Sequence, residues 1–184
     1  MCDPVFTAFK ENTYVQAMAL PKEDANLGKI LEIKPEGELP PSRYTCVFAL
    51  PYLRRLPSGV VEIAEPPSRV IRVTLHFPVN YLHAADPHLY LKVVSMVNQD
   101  FVHPNVQGNV VCLGSAFAPG TPIGVLVREL REIFTYRNIT LDERNALNPL
   151  ACRLIRAHPH LLDQLIFRPS PRRTRSVAGS GDHR

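Results

Sequence analysis

Tryptophan is absent from the 184 residues, and lysine is scarce: Lys10, Lys22, Lys29, Lys34 and Lys92 stand against sixteen arginines. No apolar run approaches the roughly 20 residues that a membrane helix needs, so no membrane association is expected. The opening Met-Cys-Asp-Pro lacks the basic stretch and apolar core of a secretory leader. A cytoplasmic protein is the expectation. Cysteine is limited to Cys2, Cys46, Cys112 and Cys152, far apart and without a Cys-x-x-Cys pair. That spacing does not make a zinc site, and a disulfide framework has no secreted context to support it. Free cysteine usually behaves as a small buried hydrophobe. This reading suits Cys46, in Tyr44-Thr45-Cys46-Val47-Phe48, and Cys152, on a predicted helix.

Excess basic charge is also missing from the body of the chain. The formal net charge is +4, but Arg168, Arg172, Arg173, Arg175 and Arg184 oppose only Asp182 at the C-terminal end. The residues before them carry 16 basic and 16 acidic side chains, which leaves no electrostatic footprint for nucleic acid. Two parts are expected: a domain over residues 1–167 and a basic, disordered, solvated tail over 168–184. The length is enough for a sizeable core.

What is present divides into strands first and helices later. Asp3-Pro4 opens a predicted helix from Val5 to Leu20, with aspartate as cap and proline at the first helical position. Short strands are expected at Ile30 to Ile33, Arg43 to Leu50 and Val60 to Ala64. A Pro/Arg/Gly-rich turn joins the last two. From Ser68 to Phe77, Val70, Arg72, Thr74 and His76 alternate with Ile71, Val73, Leu75 and Phe77, the period of a half-buried strand. Another strand is expected from Leu89 to Val94. A helix then opens at Thr121-Pro122-Ile123-Gly124, with Val125, Leu126, Leu130, Ile133 and Phe134 at helical spacing. Asn148-Pro149 starts a second, with Leu150, Leu154 and Ile155 on one face. His160 to Ile166 adds a third. The predicted class is α+β: an antiparallel four-stranded meander packed against helices.

Between strands and helices lies an irregular segment, roughly Asn98 to Pro122, and long loops inside compact domains are usually functional. It contains His103-Pro104-Asn105 and then Cys112-Leu113-Gly114. His-Pro-Asn followed by Cys-Leu, after a meander and before a helix, resembles the active-site segment of ubiquitin-conjugating enzymes. Phe77-Pro78, Tyr81 and Pro87 resemble that family's turn after its third strand. Phe117-Ala118-Pro119 resembles its aromatic-x-Pro element, and Asn148-Pro149-Leu150 its Asp-Pro-Leu. The likeness covers residues 70 to 165. Residues 1–30 are atypical, so partner contacts are not carried over there.

The resemblance implies a UBC-like fold and an acyl-transfer site with no cofactor and no metal. Cys112 would take a ubiquitin-like modifier from an activating-type enzyme as a thioester and pass it to a lysine amine of a protein target. Two explanations stand for the scarce lysine: a genome-wide composition bias, which the abundant Ala, Arg and Pro suggest, and the gain that a thioester-carrying chain has from few lysines of its own. The resemblance gives Asn105 the oxyanion, held by an amide donor that does not titrate. It lets His103 shape the turn and Pro104 stiffen it. Three departures stand out. Asn105 and Cys112 are one residue closer than is common. Phe117 replaces the usual aromatic. Asn148 occupies the place of an acidic residue that would help the incoming amine, with Asp142 or Glu143 in the preceding loop as candidates to compensate. These departures look most like the bacterial homologues, encoded beside a ubiquitin-like protein and its activating enzyme, several of which act against phage.

Rival readings are a non-catalytic binding module of the same fold, a papain-like cysteine hydrolase and a redox sensor. Modules of the first kind lack the cysteine. Hydrolases of the second run Cys first, with His and Asn far downstream. A sensor wants a resolving cysteine or a cationic neighbourhood.

Overall fold

The computed structural model describes residues 3–23, 30–66, 68–83, 93–114 and 117–166. Pro87, residues 89–92 of the expected strand, Cys2 and the tail over 168–184 lie outside them.

The chain opens with α1 (Pro4–Glu23). Asp3 begins it, its Oδ1 accepting from the backbone N–H of Val5 at 2.9 Å, as the Asp-Pro signal predicts. Phe6, Thr13, Ala17 and Leu20 are its buried positions, spaced at helical intervals.

Next come β1 (Ile30–Glu36) and β2 (Arg43–Phe48), then β3 (Tyr52–Arg55) and β4 (Val61–Ala64). β5 (Ile71–His76), β6 (Val94–Met96), β7 (Val106–Gln107) and β8 (Val110–Val111) follow. The helices α2 (Ile123–Phe134), α3 (Pro149–Ala157) and α4 (Pro159–Ile166) close the described chain.

The architecture is α+β, with four helices and antiparallel strand pairing throughout among the described residues. The main sheet runs β1-β2-β5-β6-β8-β7, and β3-β4 form a separate pair. This corrects the four-stranded meander in two ways. Val61–Ala64 does not continue the sheet from β2; it pairs with Tyr52–Arg55, and β2 pairs with β5 instead. Among the described residues the sheet has six strands, because a short hairpin in the presumed irregular segment extends its edge.

On β5 the alternation holds. Ile71, Val73 and Leu75 are fully buried, while Arg72, Thr74 and His76 point outward. α2 lies against the core through Ile123, Leu126, Val127, Leu130, Ile133 and Phe134. Val125, expected on that face, is 46% exposed because it falls on the helix flank. α3 buries Ala151, Cys152 and Ile155, whereas Leu150, expected inside, is 44% exposed. The Phe134 ring meets Phe48 of β2 at 5.3 Å and Phe101 at 5.6 Å, joining helix, sheet and the segment with His103. Among the described residues no helix is long and apolar enough to cross a membrane.

Candidate functional site

The segment from Phe101 to Cys112 is a strand-like run, a turn and a tight hairpin. Its first part is fastened to the β3–β4 pair: Arg55 N–H donates to the Asp100 carbonyl at 2.9 Å and Val102 N–H to the Leu53 carbonyl at 2.8 Å. The chain then turns through His103, Pro104 and Asn105. Val106 pairs with Val111 and Gln107 with Val110, leaving Gly108-Asn109 as a two-residue turn. Gly108 takes the positive φ of 59° that the first central position of such a turn requires.

That register fixes the site. One step beyond the Val106–Val111 pair, Asn105 faces Cys112. Cys112 N–H donates to the Asn105 carbonyl at 2.8 Å, and the Asn105 carboxamide Nδ2 donates to the Cys112 carbonyl at 3.5 Å. The short gap between the two residues is therefore closed by pairing rather than by a compressed loop. A Gly-Asn pair flanked by Val-Gln and Val-Val is a recognisable hairpin signal, and it could have been read from the sequence.

The described cysteines differ in access. Cys46 and Cys152 are buried and Cys112 is partly exposed. Burial pushes the Cys46 thiol up to about 12. It also raises Cys152, whose Sγ lies 3.7 Å from the Thr140 carbonyl. Leu113, the residue after Cys112, lines a small notch of about 30 Å³ with Phe117, Thr121, Val125, Leu126 and Glu129; Cys112 is not in its wall. A larger groove of about 560 Å³ opens between the β3–β4 pair and the first turn of α3. Arg55, Asp100, Asn148 and Leu150 are in its wall, but Cys112 and Asn105 are not.

His103 is fully buried. Its Nδ1 accepts from the Asn105 backbone N–H at 3.0 Å, so the ring is neutral and carries its proton on Nε2. Burial lowers its pKa to about 3, opposed only in part by the Ile133 carbonyl beside it. Nε2 itself makes no hydrogen bond of ordinary geometry. The ring stacks on Phe101, at 6.0 Å, and meets Tyr136 at a tilt, at 4.8 Å. It braces the turn from below. A neutral ring bonded in this way has no basic nitrogen to offer the Cys112 thiol. Pro104 is buried, and its carbonyl accepts from Asn148 N–H at 2.9 Å.

Asn148 does more than cap α3. Its Oδ1 accepts from Ala151 N–H at 3.1 Å, and its Nδ2 donates to the Val106 carbonyl at 2.8 Å. Asp142 and Glu143 face other partners. Asp142 closes a local turn on Arg144 and Asn145, and the Arg144 backbone N–H and guanidinium hold its carboxyl below the usual range. Glu143 pairs with Arg156, and with Arg153 at 3.7 Å. Among the described residues no hydrogen bond or ion pair links either carboxylate to Cys112 or Asn105.

Tyr136 is the residue that sequence reading missed. It is buried and adopts φ 58°, a left-handed conformation that costs a non-glycine residue roughly 1–2 kcal/mol. That conformation ends α2 after its C-cap Thr135, with Arg137 N–H returning to the Glu132 carbonyl at 3.0 Å. The hydroxyl donates to the Val102 carbonyl at 2.7 Å and accepts from Leu53 N–H at 3.0 Å. One phenol thus ties together β3, the strand before His103 and the end of α2.

Comparison of the chain with protein-family models and with curated proteins finds no match.

Proposed function

We propose that the chain is a ubiquitin-conjugating-type enzyme with a UBC-like fold, carrying a ubiquitin-like modifier as a thioester on Cys112. The observation that carries the reading is the pairing of Cys112 with Asn105 across the β7–β8 hairpin: a partly exposed cysteine sits opposite an amide donor held in register. In the charging step the Cys112 thiolate attacks the thioester carbonyl of the modifier. A new S–C bond forms, the old one breaks, and the thiolate of the activating-type enzyme leaves. In discharge a neutral lysine amine of a target attacks the same carbonyl, loses its proton to solvent and expels the Cys112 thiolate. Charging exchanges one thiolate for another and leans little on a donor, whereas attack by the amine builds an oxyanion that needs one. The Asn105 amide makes only a long bond to the Cys112 carbonyl, so it can turn to donate to that oxygen. One well-aimed donor contributes on the order of 3 kcal/mol to such a barrier.

Two features weigh against a cysteine hydrolase. His103 is buried and neutral, and its Nδ1 is occupied by Asn105 N–H. A hydrolase needs a base within hydrogen-bond reach of its thiol.

The test uses the chain, its cognate activating enzyme, the ubiquitin-like protein, ATP and magnesium on a gel without reductant. A band shift is expected that thiol reductant removes and Cys112→Ala abolishes. Cys112→Lys should give an adduct that resists reductant. An adduct that survives Cys112→Ala but disappears with Cys152→Ala would refute the choice of sulfur. No adduct under any condition would leave the binding-module reading.

A further inference from the structure

We infer that Asn148 is a positioning residue for the Cys112 site, and that an amide, not a carboxylate, is what this position requires. The inference rests on the proposed acyl-transfer reading and specifies how its turn is held. All four polar groups of Asn148 are engaged, its carbonyl accepting from Cys152 N–H within α3, and three of them join the turn to the helix. Its backbone N–H goes to the Pro104 carbonyl at 2.9 Å, its Nδ2 to the Val106 carbonyl at 2.8 Å, and its Oδ1 receives Ala151 N–H at 3.1 Å. The first two bonds fall on either side of Asn105, the residue that faces Cys112. The third roots them in the first turn of α3. Helix and turn therefore move as one piece.

The chemistry of the side chain decides the residue type. A carboxylate could still cap α3, because capping needs only an acceptor. It could not donate to Val106, since an ionised Asp is acceptor-only. Two oxygens would then face each other across 2.8 Å, and the turn would have to open. The family resemblance points the opposite way: an acid here should help the incoming amine. The two expectations differ in sign.

Asn148→Asp and Asn148→Ser decide between them, because both retain a capping oxygen. Circular dichroism and the melting transition report that α3 persists. Two readouts follow. The first is hydrogen exchange at the Cys112 backbone amide, which is bonded to the Asn105 carbonyl. It is expected to speed up at least tenfold in both variants. The second is the split between charging and discharge. Charging should stay within about twofold of the parent, while discharge to free lysine slows about tenfold. Faster discharge by Asn148→Asp overturns the inference, as does unchanged exchange, or faster exchange with unchanged discharge. If the parent chain never charges, the acyl-transfer reading fails, and hydrogen exchange alone still decides whether Asn148 holds the turn.

Discussion

The inner sheet and the segment bearing Cys112 are held by different forces. β1, β2, β5 and β6 are fixed by continuous backbone pairing over a buried apolar face, with Ile71, Val73, Leu75 and Phe48 fully buried. The segment from Phe101 to Cys112 has two short strands and little ladder of its own. Its shape comes from single side-chain contacts: two made from far along the sequence, Tyr136 on Val102 and Asn148 on Val106, and one local, His103 on Asn105. Apolar burial is non-directional and spreads stability over many residues. Point contacts to backbone carbonyls concentrate it in a few, and they set angles that burial cannot. A site that must present one sulfur opposite one amide needs the second kind.

The largest effect is expected where the two regions meet. Phe134→Ala removes the ring that joins α2 to Phe48 and Phe101, and should cost about 3–5 kcal/mol in urea unfolding. A loss under about 1 kcal/mol would mean the regions are not coupled through the core. Tyr136→Phe keeps the ring and deletes the hydroxyl, stranding Leu53 N–H and the Val102 carbonyl. Roughly 2–4 kcal/mol is expected, since each buried orphan costs about 1–3 kcal/mol. A neutral result would show that water replaces the phenol.

Titration of His103 sharpens the contrast, because its ring is fully buried whereas His76, the histidine of β5, is only half-buried. Above pH 6.5 the ring is neutral in both folded and unfolded chains, and its contribution is fully present. Below that the unfolded chain binds a proton that the folded one refuses until about pH 3. Stability is therefore lost as pH falls through this window. At pH 5 the loss is about 2 kcal/mol, from roughly 1.4 kcal/mol per unit. Unfolding at pH 5 and pH 7.5 should show that gap in the parent and a much smaller one in His103→Gln, where His76, its pKa also lowered by burial, still contributes. The smallest change in stability belongs to Asn105→Ala, under about 1 kcal/mol, because its bond to Cys112 is long and neutral. Charging should persist, and single-turnover discharge should slow roughly 100-fold. Blocked charging with intact discharge would remove Asn105 from the oxyanion.

The same division explains what could be read before any coordinates. Alternation along Ile71 to Phe77 gives away its strand, because burial has a period. The Asp3-Pro4 and Asn148-Pro149 starts are equally plain, since capping is local. Tyr52–Arg55 is hidden between Pro51 and a Pro/Arg/Gly-rich stretch. Its partners, Val61–Ala64 and the segment at Phe101, show only in three dimensions. At the site, the residue types and the order His103, Asn105, Cys112 are legible, and so in retrospect is the Gly108-Asn109 turn. Tyr136 is not: no local pattern announces a tyrosine with φ 58° whose hydroxyl reaches a backbone group 83 positions away.

The proline after Asn148 has a chemical consequence for the ageing of the protein. Asparagine loses its amide most readily when the next backbone nitrogen gives up its proton and closes a succinimide ring, and a proline nitrogen has no proton to give. The contact to Val106 is thus sheltered from the spontaneous conversion that would replace its donor with a negative charge. Peptide mass mapping after long storage should find this asparagine intact while others in the chain have converted.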